Sequence, residues 1–180
     1  NDVHLNSISG GTDVVGCLIL GNIFSNVYAG EIQGESLGID VDIFNEKGES
    51  VGANHKGELV IKNPFPTIPI KFWNDMNNKK LKKAYFSKYK NVWYHGDFIQ
   101  KTQNGGFIML GRSDTTLNPG GVRMGTAEIY RQVENIEFVR ESLAVGQNWK
   151  DDVRIILFVV MKTKKKLGVE EINFIKDKIK

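Results

Sequence analysis

A glycine-punctuated stretch, residues 93–130, constrains the fold of this chain more than any other segment. Two β-rich runs at 98–102 and 107–110 flank the sequence Gln-Asn-Gly-Gly at 103–106, which is a strong hairpin-turn signal. The pattern predicts an antiparallel two-stranded ribbon.

The predicted ribbon also brings an acid and a base to its open end. In a simple antiparallel register Asp97 lies opposite Arg112. An exposed pair of this kind is commonly a rim salt bridge worth about 0–1 kcal/mol. Alternatively, the carboxylate accepts the two hydroxyls of a ribose, as acidic residues do in dinucleotide folds. The spacing alone leaves both interpretations open and favours the salt bridge.

A glycine-rich loop follows the ribbon and leads into a predicted helix over residues 126–135. Glycine allows positive φ or close approach of a ligand, and a helix N-terminus favours anions. Thr126 is the expected N-cap of this helix. An arginine, Arg123, stands among the three glycines of the loop, Gly120, Gly121 and Gly125. This composition predicts a ligand-binding loop.

Hydrophobic period and turn residues predict the remaining elements. A tight turn is expected at Gly10-Gly11, and further strands at 39–43, 57–62, 142–146 and 154–161. Helices are expected at 81–89 and 169–180. The predicted class is α+β: the end of a preceding domain (1–29), an antiparallel β-subdomain (30–113), then a hinge and a small α+β lid (114–180).

Composition narrows the class of protein. The chain has 180 residues, 41% of them hydrophobic, and a net charge of +3. Its longest apolar run, 155–161, is too short to span a bilayer, so no membrane partner is expected. The single cysteine, Cys17, excludes an internal disulfide and favours a cytoplasmic location. The basic and aromatic run at 79–90 is interpreted as a solvated surface rather than a nucleic-acid site.

Several motifs, in order, resemble those of a known family. H-G-D (95–97), G-R-S-D (111–114) and N-P-G-G-V-R-M-G-T-A-E-I (118–129) resemble the C-terminal core motifs of acyl-adenylate-forming enzymes. Y-F-S (85–87) resembles the branch that contains acetyl-, propionyl- and acetoacetyl-CoA synthetases. The acetoacetyl-CoA synthetases are resembled most, through S-I-S-G-G-T-D (7–13), G-E-I-Q (30–33), F-W-N-D (72–75) and K-A-Y-F-S-K (83–88). The resemblance extends over about residues 7–145.

The resemblance implies roles for matching positions in nucleotide binding. Thr12 would contact the adenylate phosphate, and Asp13 would occupy the acidic position associated with Mg²⁺. Asp97 would hold the ribose hydroxyls, with Arg112 on the ribose or phosphate side and Arg123 on the phosphate side. Asp13 departs from the many relatives that carry glutamate at its position.

The resemblance also implies domain movement and a path for CoA. Asp114 would be the hinge about which the lid rotates between adenylation and thioester formation. Thr115 departs from the second acid that many relatives carry after this aspartate. Gly120 and Gly121 would line the pantetheine path.

A ligase that uses ATP, CoA and Mg²⁺ to form acetoacetyl-CoA through an acyl-adenylate is therefore expected, with acetoacetate, ATP and CoA as its small-molecule partners. The family's phosphate loop is not found before Ser7. The family's lysine motif is not found either, because residues 161–166 lack its proline, serine and glycine. We expect a fragment that contains no catalytic residue, needs the remainder of its own chain and is inactive alone. The alternatives are another short-chain acyl-CoA synthetase or a non-catalytic binding or assembly domain.

Overall fold

The computed structural model describes residues 3–150, 152–164 and 166–179. Atomic contacts divide the chain into two compact units, with the boundary between Met109 and Leu110. The elements in the described residues are β1 (Ser9–Gly11), β2 (Gly16–Leu20), β3 (Gly34–Glu35), β4 (Val41–Phe44), β5 (Lys56–Ile61), α1 (Lys79–Tyr85), β6 (Trp93–Lys101), β7 (Phe107–Arg112), α2 (Thr126–Val133), β8 (Val139–Trp149), β9 (Asp152–Met161) and α3 (Val169–Ile179).

The first unit is built on two antiparallel sheets, ordered β1-β2-β3 and β4-β5-β6-β7. Strand β7 runs across the unit boundary. Alternating side chains of β4, β5 and β6 enter one core, where burial of each large apolar side chain contributes about 1.5–3 kcal/mol. The buried core residues are Val14, Leu18, Ile19, Ile32, Val41, Ile43, Leu59, Ile61, Phe65, Trp93, Ile99 and Phe107.

The predicted ribbon is present, and its turn has the expected chemistry. The Thr102 N–H donates to the Gly106 carbonyl at 2.8 Å, and Gly105 adopts φ +86°. Strand β6 begins earlier than the pattern predicted, because Trp93 and Tyr94 pair with β5.

A bulge interrupts the pairing of β5 with β6 at the H-G-D motif. Glu58 pairs with Phe98 and Val60 pairs with Tyr94, so residues 95–97 lie opposite Leu59 alone. Such extra residues re-aim side chains. Gly96 takes φ +85°, a conformation that glycine adopts without strain.

Two predictions in the first unit are wrong in detail. Gly10 and Gly11 belong to β1, and the turn lies at residues 12–15. Glycine is needed within the strand because a Cβ at Gly10 would lie 2.1 Å from the Gly16 carbonyl oxygen. Helix α1 covers Lys79–Tyr85 rather than 81–89, because the chain leaves helical geometry at Phe86, with φ −127°.

The second unit packs α2 and α3 against the β8–β9 ribbon, and the predicted α+β class is confirmed. Strand β8 is longer than the predicted 142–146, because its pairing with β9 continues from Val139 to the tip of the ribbon at Trp149. Helix α3 matches its predicted start, and Lys180 lies outside the described residues. The core consists of Leu117, Ile129, Val133, Ile136, Val139, Ala144 and Ile175.

The predicted N-cap of α2 is wrong by one residue. Gly125 is the N-cap, and its N–H donates to the Glu128 carboxylate at 2.9 Å while its carbonyl accepts the Glu128 N–H at 3.0 Å. A Cβ at Gly125 would lie 2.2 Å from the Leu110 carbonyl oxygen, so close packing requires glycine at this N-cap position. The helix ends at Val133, two residues before the predicted end. Within the described residues, no helix combines the length and apolar character needed to cross a membrane.

Candidate functional site

Asp97 lies at the end of the β6 bulge with only 10% of its side chain exposed. The Ser9 hydroxyl donates to Asp97 Oδ2 at 3.5 Å, and His95 Nε2 lies 3.6 Å from the same oxygen. Strand β1 is therefore connected to the bulge through the carboxylate. A nearly buried acid that keeps a small exposed fraction suits a ligand that offers hydroxyl groups.

The partners of His95 define which ring nitrogen carries the hydrogen. The Trp93 indole N–H donates to His95 Nδ1 at 3.4 Å, and an indole can only donate. In the neutral ring the hydrogen therefore resides on Nε2. This nitrogen lies 3.4 Å from the Gly10 carbonyl oxygen as well as facing Asp97.

A second carboxylate, that of Asp13, is connected to the same cluster through aromatic rings. The Tyr85 ring stacks on Trp93 with centroids 3.7 Å apart and an interplanar angle of 12°. The Tyr85 hydroxyl donates to Asp13 Oδ2. Asp13 and its neighbour Thr12 are exposed in the turn between β1 and β2. The first unit thus brings Thr12, Asp13 and Asp97 to one region around β1.

The start of α1 is fixed by Asp75, and this helix in turn places Tyr85. The carboxylate accepts the Lys80 N–H at 2.8 Å and the Leu81 N–H at 2.9 Å. Burial by itself raises the pKa of Asp75, but these backbone donors and the positive charge of Lys80 hold that pKa below its ordinary value. Asp75 therefore caps the helix from outside it, in place of the left-handed Asn78, which makes no side-chain cap.

Sequence reasoning did not assign functions to Tyr85, Trp93 or Asp75, although each stands in or beside a quoted motif. Aromatic residues next to lysines are typical of a solvated surface, so the sequence pattern at 79–90 did not indicate that Tyr85 packs against the core. A glycine within the β-rich run, Gly96, was the available signal for the bulge.

In the second unit, residues 112–116 form a tight turn that contains the predicted hinge. Arg112 Nε lies 3.6 Å from Asp114 Oδ1, and both side chains are more than half exposed. The Thr115 and Thr116 hydroxyls donate to the Arg112 carbonyl at 3.0 and 3.3 Å. The hydroxyl of Thr115 is thus used in a local hydrogen bond within this turn.

The glycine loop is connected to the tip of the β8–β9 ribbon. Gly120 and Gly121 take φ +58° and +79°. The Gly120 N–H donates to the two Asp152 oxygens at 2.9 and 3.2 Å. Backbone N–H groups of Val153 and Gly120 hold the pKa of Asp152 below its ordinary value. Arg123, in the same loop, is half-buried.

Asp97 belongs to the first unit and Arg112 to the second, so their common ribose site stays a prediction. Among the described residues, no three His, Cys, Asp or Glu side chains gather to form a metal cage. Mg²⁺ is commonly held by one or two carboxylates together with substrate phosphates. The exposed carboxylate of Asp13 is suited to bind Mg²⁺ in this way.

Comparison with curated proteins shows which sequences this chain is similar to. No family model matches it. Acetoacetyl-coenzyme A synthetase of Rhizobium meliloti (strain 1021) is 56% identical over 158 residues, which covers 88% of this chain and 24% of that protein. Acetoacetyl-CoA synthetase of Xenopus tropicalis is 47% identical over 182 residues, which covers 100% and 27%. By sequence, this chain is similar to one segment of the acetoacetyl-CoA synthetases. It spans about a quarter of the length of these curated relatives.

Solved structures agree with this assignment. Acetoacetyl-CoA synthetase from Streptomyces lividans has a TM-score of 0.87 and 38% identity over 97% of this chain and 26% of its own. A benzoate CoA ligase from Burkholderia xenovorans LB400 has a TM-score of 0.77 at 22% identity and shows the shared fold alone. The fold of this chain and its sequence motifs therefore both resemble those of the acetoacetyl-CoA synthetases.

Proposed function

We propose that this chain is a segment of an AMP-forming acid–thiol ligase that joins acetoacetate to CoA at the expense of ATP. The observation that carries the proposal is the connected pair of carboxylates in the first unit. Asp97 is nearly buried at a bulge and suits ribose hydroxyls, whereas Asp13 is exposed in a turn and suits a phosphate-bound cation.

The proposed reaction has two steps. A carboxylate oxygen of acetoacetate attacks the α-phosphorus of ATP, the bond to the β-phosphate oxygen breaks, and pyrophosphate leaves. The CoA thiolate then attacks the acyl carbonyl carbon of the acyl-adenylate, and AMP leaves. When bound, Mg²⁺ would neutralise phosphate charge. Asp13 would hold it, Thr12 would contact the adenylate phosphate, and Asp97 would orient the ribose.

The second unit would act on the phosphate and thiol sides. Arg112 and Arg123 would stabilise phosphate charge. Gly120 and Gly121 would let the pantetheine chain pass close to the backbone. Asp114 would be the hinge between the adenylating and thioester-forming arrangements.

A pyrophosphate-release assay tests the proposal. The complete reading frame that contains this sequence and the 180-residue chain would each be expressed and given ATP, CoA and Mg²⁺ with acetoacetate, acetate or propionate. We expect turnover by the complete protein with acetoacetate preferred, and none by the chain alone, because the family's phosphate loop and lysine motif are not found in it.

The assay also separates the alternatives. Preference for acetate or propionate would replace acetoacetate as the substrate. No turnover with any acid would favour a binding or assembly role. Turnover by the 180-residue chain would contradict the proposal that it is a catalytically incomplete segment. A cytoplasmic location forms part of the proposal, and the single cysteine, Cys17, is consistent with a reducing compartment.

A further inference from the structure

We propose that Tyr85 and His95 are positioning residues that fix the two carboxylates of the first unit relative to each other. Tyr85 orients Asp13, and His95 orients Asp97. Trp93 contacts the side chains of Tyr85 and His95 and so sets the separation between those two residues. The inference rests on the proposed function, in which Asp13 binds the cation and Asp97 binds the ribose.

The geometry of Tyr85 leaves its hydroxyl little freedom. One face of the ring lies flat on Trp93, and Phe72 meets it edge-on with centroids 6.0 Å apart. Since the ring is held by two aromatic neighbours, packing fixes the position of its hydroxyl oxygen. From that position the hydroxyl donates to Asp13 Oδ2. A carboxylate on an exposed turn is thereby given one preferred orientation.

Both ring nitrogens of His95 are occupied. Nδ1 accepts from Trp93, and Nε2 lies 3.4 Å from the Gly10 carbonyl oxygen and 3.6 Å from Asp97 Oδ2. Only 8% of the side chain is exposed. A Cβ at Gly11 would come within 3.0 Å of His95 Cε1, so the imidazole also packs closely against β1. The ring therefore holds both the ribose-side acid and the strand that leads to the turn of Asp13.

Trp93 gives this arrangement a rigid base. Its ring is 2% exposed, and Phe65 and Phe86 meet it edge-on with centroids 5.7 and 5.8 Å away. Side chains that orient a metal ligand commonly change metal affinity or activity about 10- to 100-fold when altered, and we expect an effect of similar size for a carboxylate that binds ribose. Two carboxylates supported from one buried indole are thus a preorganised pair.

Paired substitutions separate positioning from folding. In the complete protein, His95→Gln retains an amide N–H near the position of Nε2, whereas His95→Asn is too short to reach it. Calorimetry with AMP in the absence of metal should show about tenfold weaker binding for His95→Asn. His95→Gln should restore most of that affinity, and a control at exposed His55, His55→Gln, should bind like the wild type.

Tyr85→Phe tests the other half, because it keeps the stack on Trp93 and removes only the hydroxyl. AMP binding without metal should change by less than about twofold. The Mg²⁺ concentration that gives half-maximal ATP binding should rise about tenfold. Thermal unfolding of every variant would be measured alongside.

Each outcome decides one statement. A wild-type protein that binds neither AMP nor ATP overturns the proposed function itself. A wild type that binds, with His95→Asn and Tyr85→Phe within twofold of it, overturns only the positioning roles. Equal loss of affinity in His95→Gln and His95→Asn, accompanied by a lowered Tm, shows a structural role and also overturns them. Rescue by His95→Gln and a selective Mg²⁺ effect in Tyr85→Phe support them.

Discussion

At the scale of single residues, the environment of Asp97 combines backbone and side-chain effects. The bulge turns the carboxylate toward Ser9 and His95, and only 10% of the Asp97 side chain is exposed. A carboxylate in this position offers ribose hydroxyls two acceptor oxygens and no donor.

Asp97→Asn in the complete protein should weaken ATP binding about 10- to 100-fold, because hydrogen bonds to a charged group are worth about 1.5–3 kcal/mol. The Kd for CoA should stay unchanged. Calorimetry with each ligand measures both quantities, with Asp40→Asn as the control at an exposed carboxylate of the same unit. An unaltered Kd for ATP would remove Asp97 from the ribose site.

Gly96→Ala should destabilise the protein by about 1–2 kcal/mol, since φ +85° is unfavourable for a residue with a Cβ. Gly105→Ala is the matched control: Gly105 has φ +86° in the hairpin turn, and a Cβ there meets no atom within 4 Å. Both variants should show similar losses in denaturant unfolding, and only Gly96→Ala should also weaken AMP binding. Equal AMP affinity in the two variants would show that the bulge does not position Asp97.

At the scale of elements, α1 illustrates how a contact outside a helix places a side chain within it. Asp75 accepts two N–H groups of the first turn, and Tyr85 is the last residue of the same helix. The cap and the tyrosine are therefore mechanically connected, although ten positions separate them in the sequence.

Asp75→Asn should lower the Tm, because a neutral amide offers one acceptor oxygen where the carboxylate offers two. The folded pKa of Asp75 lies below its unfolded value of about 3.9. Its ionisation therefore stabilises the protein fully above about pH 5, and this stabilisation is lost as pH falls through the folded pKa. The Tm difference between wild type and variant should shrink from pH 6 toward pH 3. A constant difference over that range would contradict the capping role.

The elements were largely predictable because hydrophobic period and turn residues act locally. The β6–β7 ribbon, α2 and α3 follow from such patterns. The start of α1 was not, since it depends on Asp75, which precedes the helix. The placement of Gly10 within β1 and of Gly125 at the cap of α2 depends on close approach of carbonyl groups on other strands, those of Gly16 and Leu110. A hydrophobic period within one element does not encode such contacts.

For the candidate site, the residue types were recognisable from motifs, whereas their support was not. The acids Asp13 and Asp97 were named from sequence, and their roles stay predictions. The stack of Tyr85 on Trp93 joins residues of a helix and a strand. Contacts of that kind arise only from tertiary packing.

At the scale of the whole molecule, the chain forms two units, each with its own core. The boundary between them lies within β7, between Met109 and Leu110. The predicted hinge, Asp114, lies a few residues further on, in a turn held by the Arg112 carbonyl.

Asp114→Pro should lock one domain orientation and impair one half-reaction far more than the other, because proline fixes φ near −65°. Pyrophosphate release without CoA measures adenylation, and thioester formation from preformed acyl-adenylate measures the second step. Asp114→Ala, which keeps backbone freedom, is the control and should be milder. Equal losses in the two half-reactions would mean that Asp114 serves general stability and is not a hinge.

The bulge in β6 has a consequence for how such a protein tolerates insertions and deletions. Three residues, 95–97, stand opposite one, so the excess is an even number. Phe98 therefore stays in phase with Tyr94, and the apolar face of the strand is preserved on both sides of the bulge. Removing one residue would invert every later side chain of β6, whereas removing two would restore a regular ladder. A two-residue insertion or deletion can therefore create or remove this bulge, with its Asp97, and leave the pairing of the rest of β6 with β5 unchanged.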